Sequence, residues 1–291
     1  METTRSPGNE QARLWNGPSG QTWVEIQATL DRLFQPFEAL LADTASAAAA
    51  ASVTGPCRVL DVGCGTGATT LAVARALGAG GHCSGVDISQ PMIATARSRA
   101  ERQGVPAGFV CADAQTHPFA PGSVDLLVSR FGVMFFDDPV RAFGNLRRAA
   151  APGASLRFIA WRSPAENPFM TTAERAAAPL LPALAPRPSG GPGQFALADR
   201  AHVEAILRSS GWGDLAIEPI DVPCRMPEPD LAGYLSRLGP VGAALREADE
   251  RTRAQVIDTV RAAFEPFVHG DEVRLVAACW SIGARAEPAA A

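Results

Sequence analysis

The chain has 291 residues, of which 47% are hydrophobic and 19% charged, with a formal net charge of −4. That balance describes a folded globule, one large domain or one domain with a cap, and excludes a disordered chain. It gives no basic footprint for nucleic acid, and no apolar run approaches the roughly 20 residues that span a bilayer.

The opening segment, Met1–Glu10, is polar and lacks the apolar core of a signal peptide, so a cytoplasmic address is expected. Residues 11–50 read as helical, because Trp23, Ile26, Leu30, Leu33, Phe37 and Leu40 recur at steps of three and four. Pro36 is expected to break this stretch in two. Asn16-Gly17-Pro18-Ser19-Gly20 reads as a turn that leaves Trp15 on a hinge, so that Trp15 and Trp23 roof a site as a lid. After a linker at 51–56, strands and helices alternate. Strands are expected at Cys57–Val62, His82–Asp87, Gly108–Ala112, Val124–Ser129 and Ser155–Trp161, and helices at Ala68–Leu77, Gln90–Gln103 and Asp138–Ala150. Such alternation implies βαβ units and a parallel sheet with ligands at the strands' carboxyl ends.

Beyond Trp161 the pattern changes. Pro179–Gly193 is dense in Pro and Gly and reads as a loop. Asp199 caps a helix running to Ser210, Asp214–Val222 is a strand, Leu231–Leu238 and Val241–Phe267 are helical, and Glu272–Ile282 is the final strand. Two strands separated by helices fit a closing hairpin with an inserted cap. The expected division is a helical lid over 1–50, a ligand-binding core over 51–162, and the remaining sheet over 163–291 with cap insertions at about 163–198 and 223–270.

The chemistry centres on residues 57–67, Cys-Arg-Val-Leu-Asp-Val-Gly-Cys-Gly-Thr-Gly, where an apolar strand ends on a carboxylate and a glycine loop leads into a helix. Helix-start N–H groups there are open to polar ligand atoms. Gly63-x-Gly65-x-x-Ala68 also satisfies the dinucleotide fingerprint, with Asp87 about 20 residues on as the ribose acid. Asp61, two residues before the first glycine, suits a ligand with an ammonium group, and glycines at 63, 65 and 67 form a flatter loop than a pyrophosphate cradle needs. The string resembles motif I of the class I S-adenosylmethionine-dependent methyltransferases. Three acids at three successive strand tips, Asp61, Asp87 and Asp113, are the specific part of the pattern.

The handles of that cofactor distribute over the chain as follows. Asp61 and the loop Gly63, Cys64, Gly65, Thr66 and Gly67 suit the amino-acid end. Asp87 accepts the ribose hydroxyls, Ile88 and Met92 flank adenine, and Asp113 with Ala114 meets its exocyclic amine and ring edge. Ser129 and Arg130 close the fourth strand beside the methionine moiety. Phe131, Met134, Phe135 and Trp161, with Trp15 and Trp23, are expected to wall an apolar acceptor pocket. His117, in the loop after Asp113, is the candidate general base for an oxygen or nitrogen acceptor.

Residues 55–161 as a whole resemble the ubiquinone/menaquinone-biosynthesis-type branch of that class, on Val59–Gly67, Gly85–Ser89, Asp113-Ala114, Phe119–Asp125 and Ala151-Pro152-Gly153. The resemblance implies a Rossmann-like seven-stranded sheet with an antiparallel last strand, S-adenosylmethionine as cofactor and S-adenosylhomocysteine as product. The acceptor is not carried over from the resemblance; a small molecule is expected, and no metal.

All 26 basic residues are Arg, which removes any chemistry that needs lysine. Of the competing readings, a short-chain dehydrogenase with a Tyr-x-x-x-Lys pair is excluded. Other NAD(P)-dependent hydride chemistry and a non-catalytic binding protein stay open. Cys57, Cys83, Cys111 and Cys279 fall in or beside strands as small hydrophobes, and no CxxC pair points to zinc.

Overall fold

Three helices lead the chain: α1 (Gly8–Asn16), α2 (Pro18–Glu25) and α3 (Gln27–Ala51). The computed structural model describes residues 8–53, 55–182, 184 and 190–287, so the expectations over Met1–Glu10 and Pro179–Gly193 lie partly outside the described residues. The alternation then runs β1 (Cys57–Val62), α4 (Ala68–Leu77), β2 (Gly81–Asp87), α5 (Gln90–Gln103), β3 (Ala107–Cys111), β4 (Val124–Arg130), α6 (Pro139–Ala149) and β5 (Ala150–Trp161). After α7 (Phe169–Ala177) and α8 (Arg200–Ser209), the long β6 (Gly213–Pro227) leads into α9 (Leu231–Arg237), α10 (Gly239–Glu247) and α11 (Glu250–Ala263). The short β7 (Val268–His269) and β8 (Glu272–Arg285) close the chain.

The strands lie in the order β3-β2-β1-β4-β5-β8-β6, with β7 paired to β8 off this path. From β3 to β5 the neighbours are parallel, and β8 runs antiparallel to both β5 and β6. This is the Rossmann-like methyltransferase sheet expected, with β8 as its antiparallel last strand. Parallel strands covered on both faces need near-continuous apolar runs, and β1 is buried at every residue except Arg58. Arg58 pairs with Asp125 at 2.7 Å across the β1–β4 edge.

Local capping chemistry fixes the helix starts. Ser89, Asp138, Asp199 and Asp249 each accept an N–H from their helix's first turn. The last of these caps divides the expected helix Val241–Phe267, because Asp249 starts α11 after α10 has ended.

Three other expectations are corrected. Pro36 lies inside α3 and does not end it. One lost hydrogen bond and the ring clash cost about 3 kcal/mol. Burial of Leu33, Phe34, Phe37 and Leu41 on the core face outweighs it, at about 1.5–3 kcal/mol each. The turn expected at 16–20 shrinks to Gly17, because Pro18 is well suited to a first helical turn and opens α2. Leu40 and Cys111 are exposed, Leu40 at the edge of the α3 stripe and Cys111 on the edge strand β3.

The junction after β5 is held by one buried amide. Asn167, fully buried, donates through Nδ2 to the carbonyl of Ala278 (2.9 Å) and accepts at Oδ1 from the Ala278 N–H (2.9 Å). The same Nδ2 reaches the carbonyl of Ser163 (3.2 Å). Asn167→Ala leaves the Ala278 N–H of β8 unpaired at a cost of roughly 1–3 kcal/mol, while the Ala278 carbonyl keeps the Arg162 N–H (3.0 Å). A clear drop in the denaturant midpoint is expected, and an unchanged midpoint refutes the pin.

Candidate functional site

The carboxyl ends of β1 to β5 open onto one cavity of about 1280 Å³, covered by α1–α3 on one side and by α7, α9 and α10 on another. Ligand sites in open α/β sheets occupy this edge.

The floor is built around the crossing of two loops. Gly63 (φ +69°) follows β1, and Gly132 follows β4. A Cβ on Gly63 would stand 2.5 Å from the Gly132 Cα, so neither position has room for a side chain. The loop is pinned by N–H donation from Gly63 and Cys64 to the Val86 carbonyl (2.8 and 3.1 Å) and from Gly67 to the Cys64 carbonyl (2.9 Å). The Gly65 N–H donates to Asp87 Oδ2 (2.8 Å), and the Ser89 N–H to Asp87 Oδ1 (2.8 Å). Asp87 is thereby held at the cavity wall, and burial raises its pKa. At Gly65 an added Cβ would meet only Met92 Sδ, at 3.5 Å, so the loop presents bare backbone towards the cavity there.

Asp113 sits after β3 with Oδ1 accepting from the Gln115 N–H (2.9 Å). Asn145 on α6 fixes that loop from beneath by donating to the carbonyls of Ala114 and His117, both at 2.9 Å. Arg130 pairs with Glu38 of α3 at 2.7 Å, and its guanidinium lies 5.6 Å from the Phe34 ring.

Of the residues predicted for the cofactor, Gly63, Gly65, Asp87, Ile88, Met92, Asp113, Ala114 and Arg130 line the cavity. Asp61, Cys64, Thr66, Gly67 and Ser129 do not. Cys64 and Thr66 are buried beneath the loop, and Ser129 donates to the Val62 carbonyl (2.7 Å) inside the sheet. All six residues predicted for the acceptor wall (Trp15, Trp23, Phe131, Met134, Phe135 and Trp161) line it. Phe131 and Trp161 stack at 4.4 Å with 10° between planes, and Trp15 meets Phe135 edge-on at 5.0 Å.

His117 does not line the cavity. Its imidazole stands edge-on to Phe119 at 4.7 Å, and its backbone carbonyl accepts from Asn145. A general base has to reach the proton it takes, and His117 is not among the residues that line the cavity.

Sequence reading missed Phe34, Gln115 and Asp137, all cavity-lining. Phe34 was recoverable, since it lies one turn from Leu30 on the same stripe. Gln115 and Asp137 carry no periodic signal, and Asp137 keeps a buried oxygen without a partner among the described residues.

Asp61 is fully buried, with Oδ2 accepting from the Thr70 hydroxyl (2.7 Å) and Oδ1 unpartnered among the described residues. Burial pushes its pKa from 3.8 up to about 6. An orphaned carboxylate oxygen below a bare glycine loop fits a ligand bearing a positive group. A folded pKa above the unfolded one means that this group's stabilising share is complete below about pH 4 and lost as pH rises through 6. Asp61→Asn should therefore gain stability relative to wild type between pH 4 and pH 7, by up to about 3 kcal/mol. A difference between the two proteins that stays flat across this range in urea titrations refutes the assignment.

Residues 59–153 match the family model described as a methyltransferase domain. The chain is 36% identical over 114 residues to the demethylmenaquinone methyltransferase of Thermus thermophilus, covering 39% of this chain and 51% of that one. It is 33% identical over 143 residues to the aklanonic acid methyltransferase DauC of Streptomyces sp., covering 47% and 62% respectively. The chain thus spans about half the length of the curated relatives it matches. The solved YcgJ protein of Bacillus subtilis shares the fold at a TM-score of 0.53 and 18% identity, covering 85% of this chain and 100% of that one. Residues 59–153 are thus similar to a methyltransferase domain, and the relatives that match this core include a demethylmenaquinone methyltransferase.

Proposed function

We propose that this protein transfers the methyl group of S-adenosylmethionine to oxygen, nitrogen or carbon of a small, largely apolar acceptor, and releases S-adenosylhomocysteine. One observation carries the reading: a glycine loop and the acids Asp87 and Asp113 share a cavity with an aromatic wall. At about 1280 Å³ it exceeds the ordinary 300–1,000 Å³ of a single-ligand pocket and has room for cofactor and acceptor together. The names of the two relatives, which refer to demethylmenaquinone and aklanonic acid, support an organic acceptor.

In this reading Asp87 takes the ribose hydroxyls from the cavity side. Ile88 and Met92 flank the adenine, while Asp113 and Ala114 receive its edge. The loop backbone at Gly63 and Gly65, with Arg130 beside it, receives the amino-acid end, and the buried charge of Asp61 lies beneath. The cofactor supplies an electrophilic methyl on a sulfonium. The chain's own task is alignment and exclusion of water, which Phe131, Trp161 and Phe135 perform by walling the acceptor side. No side chain is assigned as a base.

The lid at residues 1–50, the core at 51–162 and the cap within 163–291 act together in this scheme. Asn16 donates to the Ile88 carbonyl (3.0 Å) and accepts from the Gln90 N–H (2.8 Å), hooking the end of α1 to the loop that follows Asp87. The Ser89 hydroxyl donates to the Trp15 carbonyl (2.6 Å).

Calorimetry with S-adenosylhomocysteine and with NAD tests the reading, and binding of NAD alone overturns it. Asp87→Ala loses charge-assisted hydrogen bonds worth roughly 1.5–3 kcal/mol, so S-adenosylhomocysteine affinity should fall about 10- to 150-fold. Unchanged affinity in the folded variant removes the ribose assignment. Deletion of residues 1–17 removes the Trp15 and Asn16 contacts and should lower the melting temperature somewhat, while methyl transfer from labelled cofactor to an acceptor pool, assayed well below that temperature, falls. Equal turnover by the truncated chain means that α1 is not a lid.

A further inference from the structure

Arg99 is a charged residue placed where charge is expensive. It lies on α5, outside the cavity, and is 8% exposed. A guanidinium there needs a counter-charge and full use of its donors. Nη2 donates to Asp31 Oδ2 of α3 at 2.5 Å. Nη1 donates to the backbone carbonyl of Thr66 at 2.8 Å and approaches Thr66 Oγ1 at 3.3 Å. Gln27, one turn earlier on α3, also donates to Asp31. One planar fork therefore ties α3 to the glycine loop.

The place where it ties the loop matters. The peptide linking Thr66 to Gly67 is held at both ends, its oxygen by Arg99 and its N–H by the Cys64 carbonyl (2.9 Å). Rotation of that peptide is what a glycine-rich segment most readily does, since Gly65 and Gly67 both occupy left-handed conformations with φ of +54° and +85°. With Asp87 holding the Gly65 N–H on one side and Arg99 holding the Thr66 carbonyl on the other, the loop is left one conformation. The same α3 carries Leu30 and Phe34 into the cavity wall, so the clamp also sets the spacing between the loop and that wall.

We propose that Arg99, charge-paired to Asp31, is a positioning residue: it preorganises the glycine loop for the amino-acid end of the cofactor without touching the cofactor itself. This rests on the assignment of the loop to that end of S-adenosylmethionine. Preorganised backbone binds more tightly because less ordering is left to the moment of binding.

The test separates the two ends of the ligand. S-adenosylhomocysteine carries the amino-acid chain, whereas 5′-deoxy-5′-methylthioadenosine keeps only the nucleoside with a methylthio group. Arg99→Met should weaken the first by about tenfold or more and leave the second within about twofold. Arg99→Lys should recover only part of the loss, since a single ammonium does not reproduce the fork. Asp31→Asn should shift the same ratio in the same direction and serves in place of Arg99→Met if that variant does not fold. Parallel loss of both ligands, or loss of neither, overturns the proposal. If the wild-type protein binds neither ligand, the methyltransferase reading itself fails. Amide hydrogen exchange at residues 63–67 then decides the clamp: faster exchange confined to the loop in Arg99→Met supports it, and unchanged exchange overturns it.

Discussion

Everything at the site depends on two backbones passing within side-chain distance of each other. Gly63 after β1 and Gly132 after β4 leave no space for a Cβ between them, and this crossing brings the loops of neighbouring parallel strands into one floor. Phe131 makes the approach possible by adopting φ +66°, a conformation that costs a bulky residue about 1–2 kcal/mol. The strain is offset where it arises. Phe131 is 7% exposed, stacked on Trp161 and packed edge-on against Phe34 and Phe37. The aromatic wall of the cavity and the sharp turn of the floor are thus a single packing solution.

The second theme is buried charge. Asp61, Asp87 and Glu38 all have pKa values raised by burial, and Arg99 and Arg130 are almost enclosed. Charges of this kind seldom add stability over a well-packed apolar core. Here they cluster around the strand tips and fix geometry. Asp87 orders two backbone N–H groups, Glu38 holds Arg130 at the end of β4, and Asp31 holds Arg99 against the loop. A third tie from α3 runs outward, with Thr29 donating to Asp230 (3.2 Å) and Arg32 paired to the same carboxylate just before α9. One long helix thereby joins core, glycine loop and cap, and the burial of its apolar face carries it through Pro36.

Much of the architecture was legible because local rules and the fold agree. Apolar runs ending in Asp or Gly mark β1 and β2. Ser89, Asp138 and Asp199 announce helix starts, and the glycine spacing with three acids at successive strand tips marks the floor of the cavity. These signals are short-range, set by capping, turn conformation and strand length, and need no knowledge of what packs on what.

What the sequence alone determined is therefore the order of the elements, the Rossmann-like class and the set of residues brought to the strand tips. Only the tertiary structure decided which of them face the cavity. It set Cys64, Thr66 and Ser129 beneath the surface and left His117 out of the lining, and it recruited Gln115 and Asp137 from segments with no periodic signal. The reason is physical. A strand tip fixes where a backbone ends, but the direction of each side chain there depends on the alternation of the pleat and on partners far away in sequence. Asn145 lies 28 residues from His117, and Arg99 lies 33 residues from Thr66. No periodicity along the chain encodes contacts at that range.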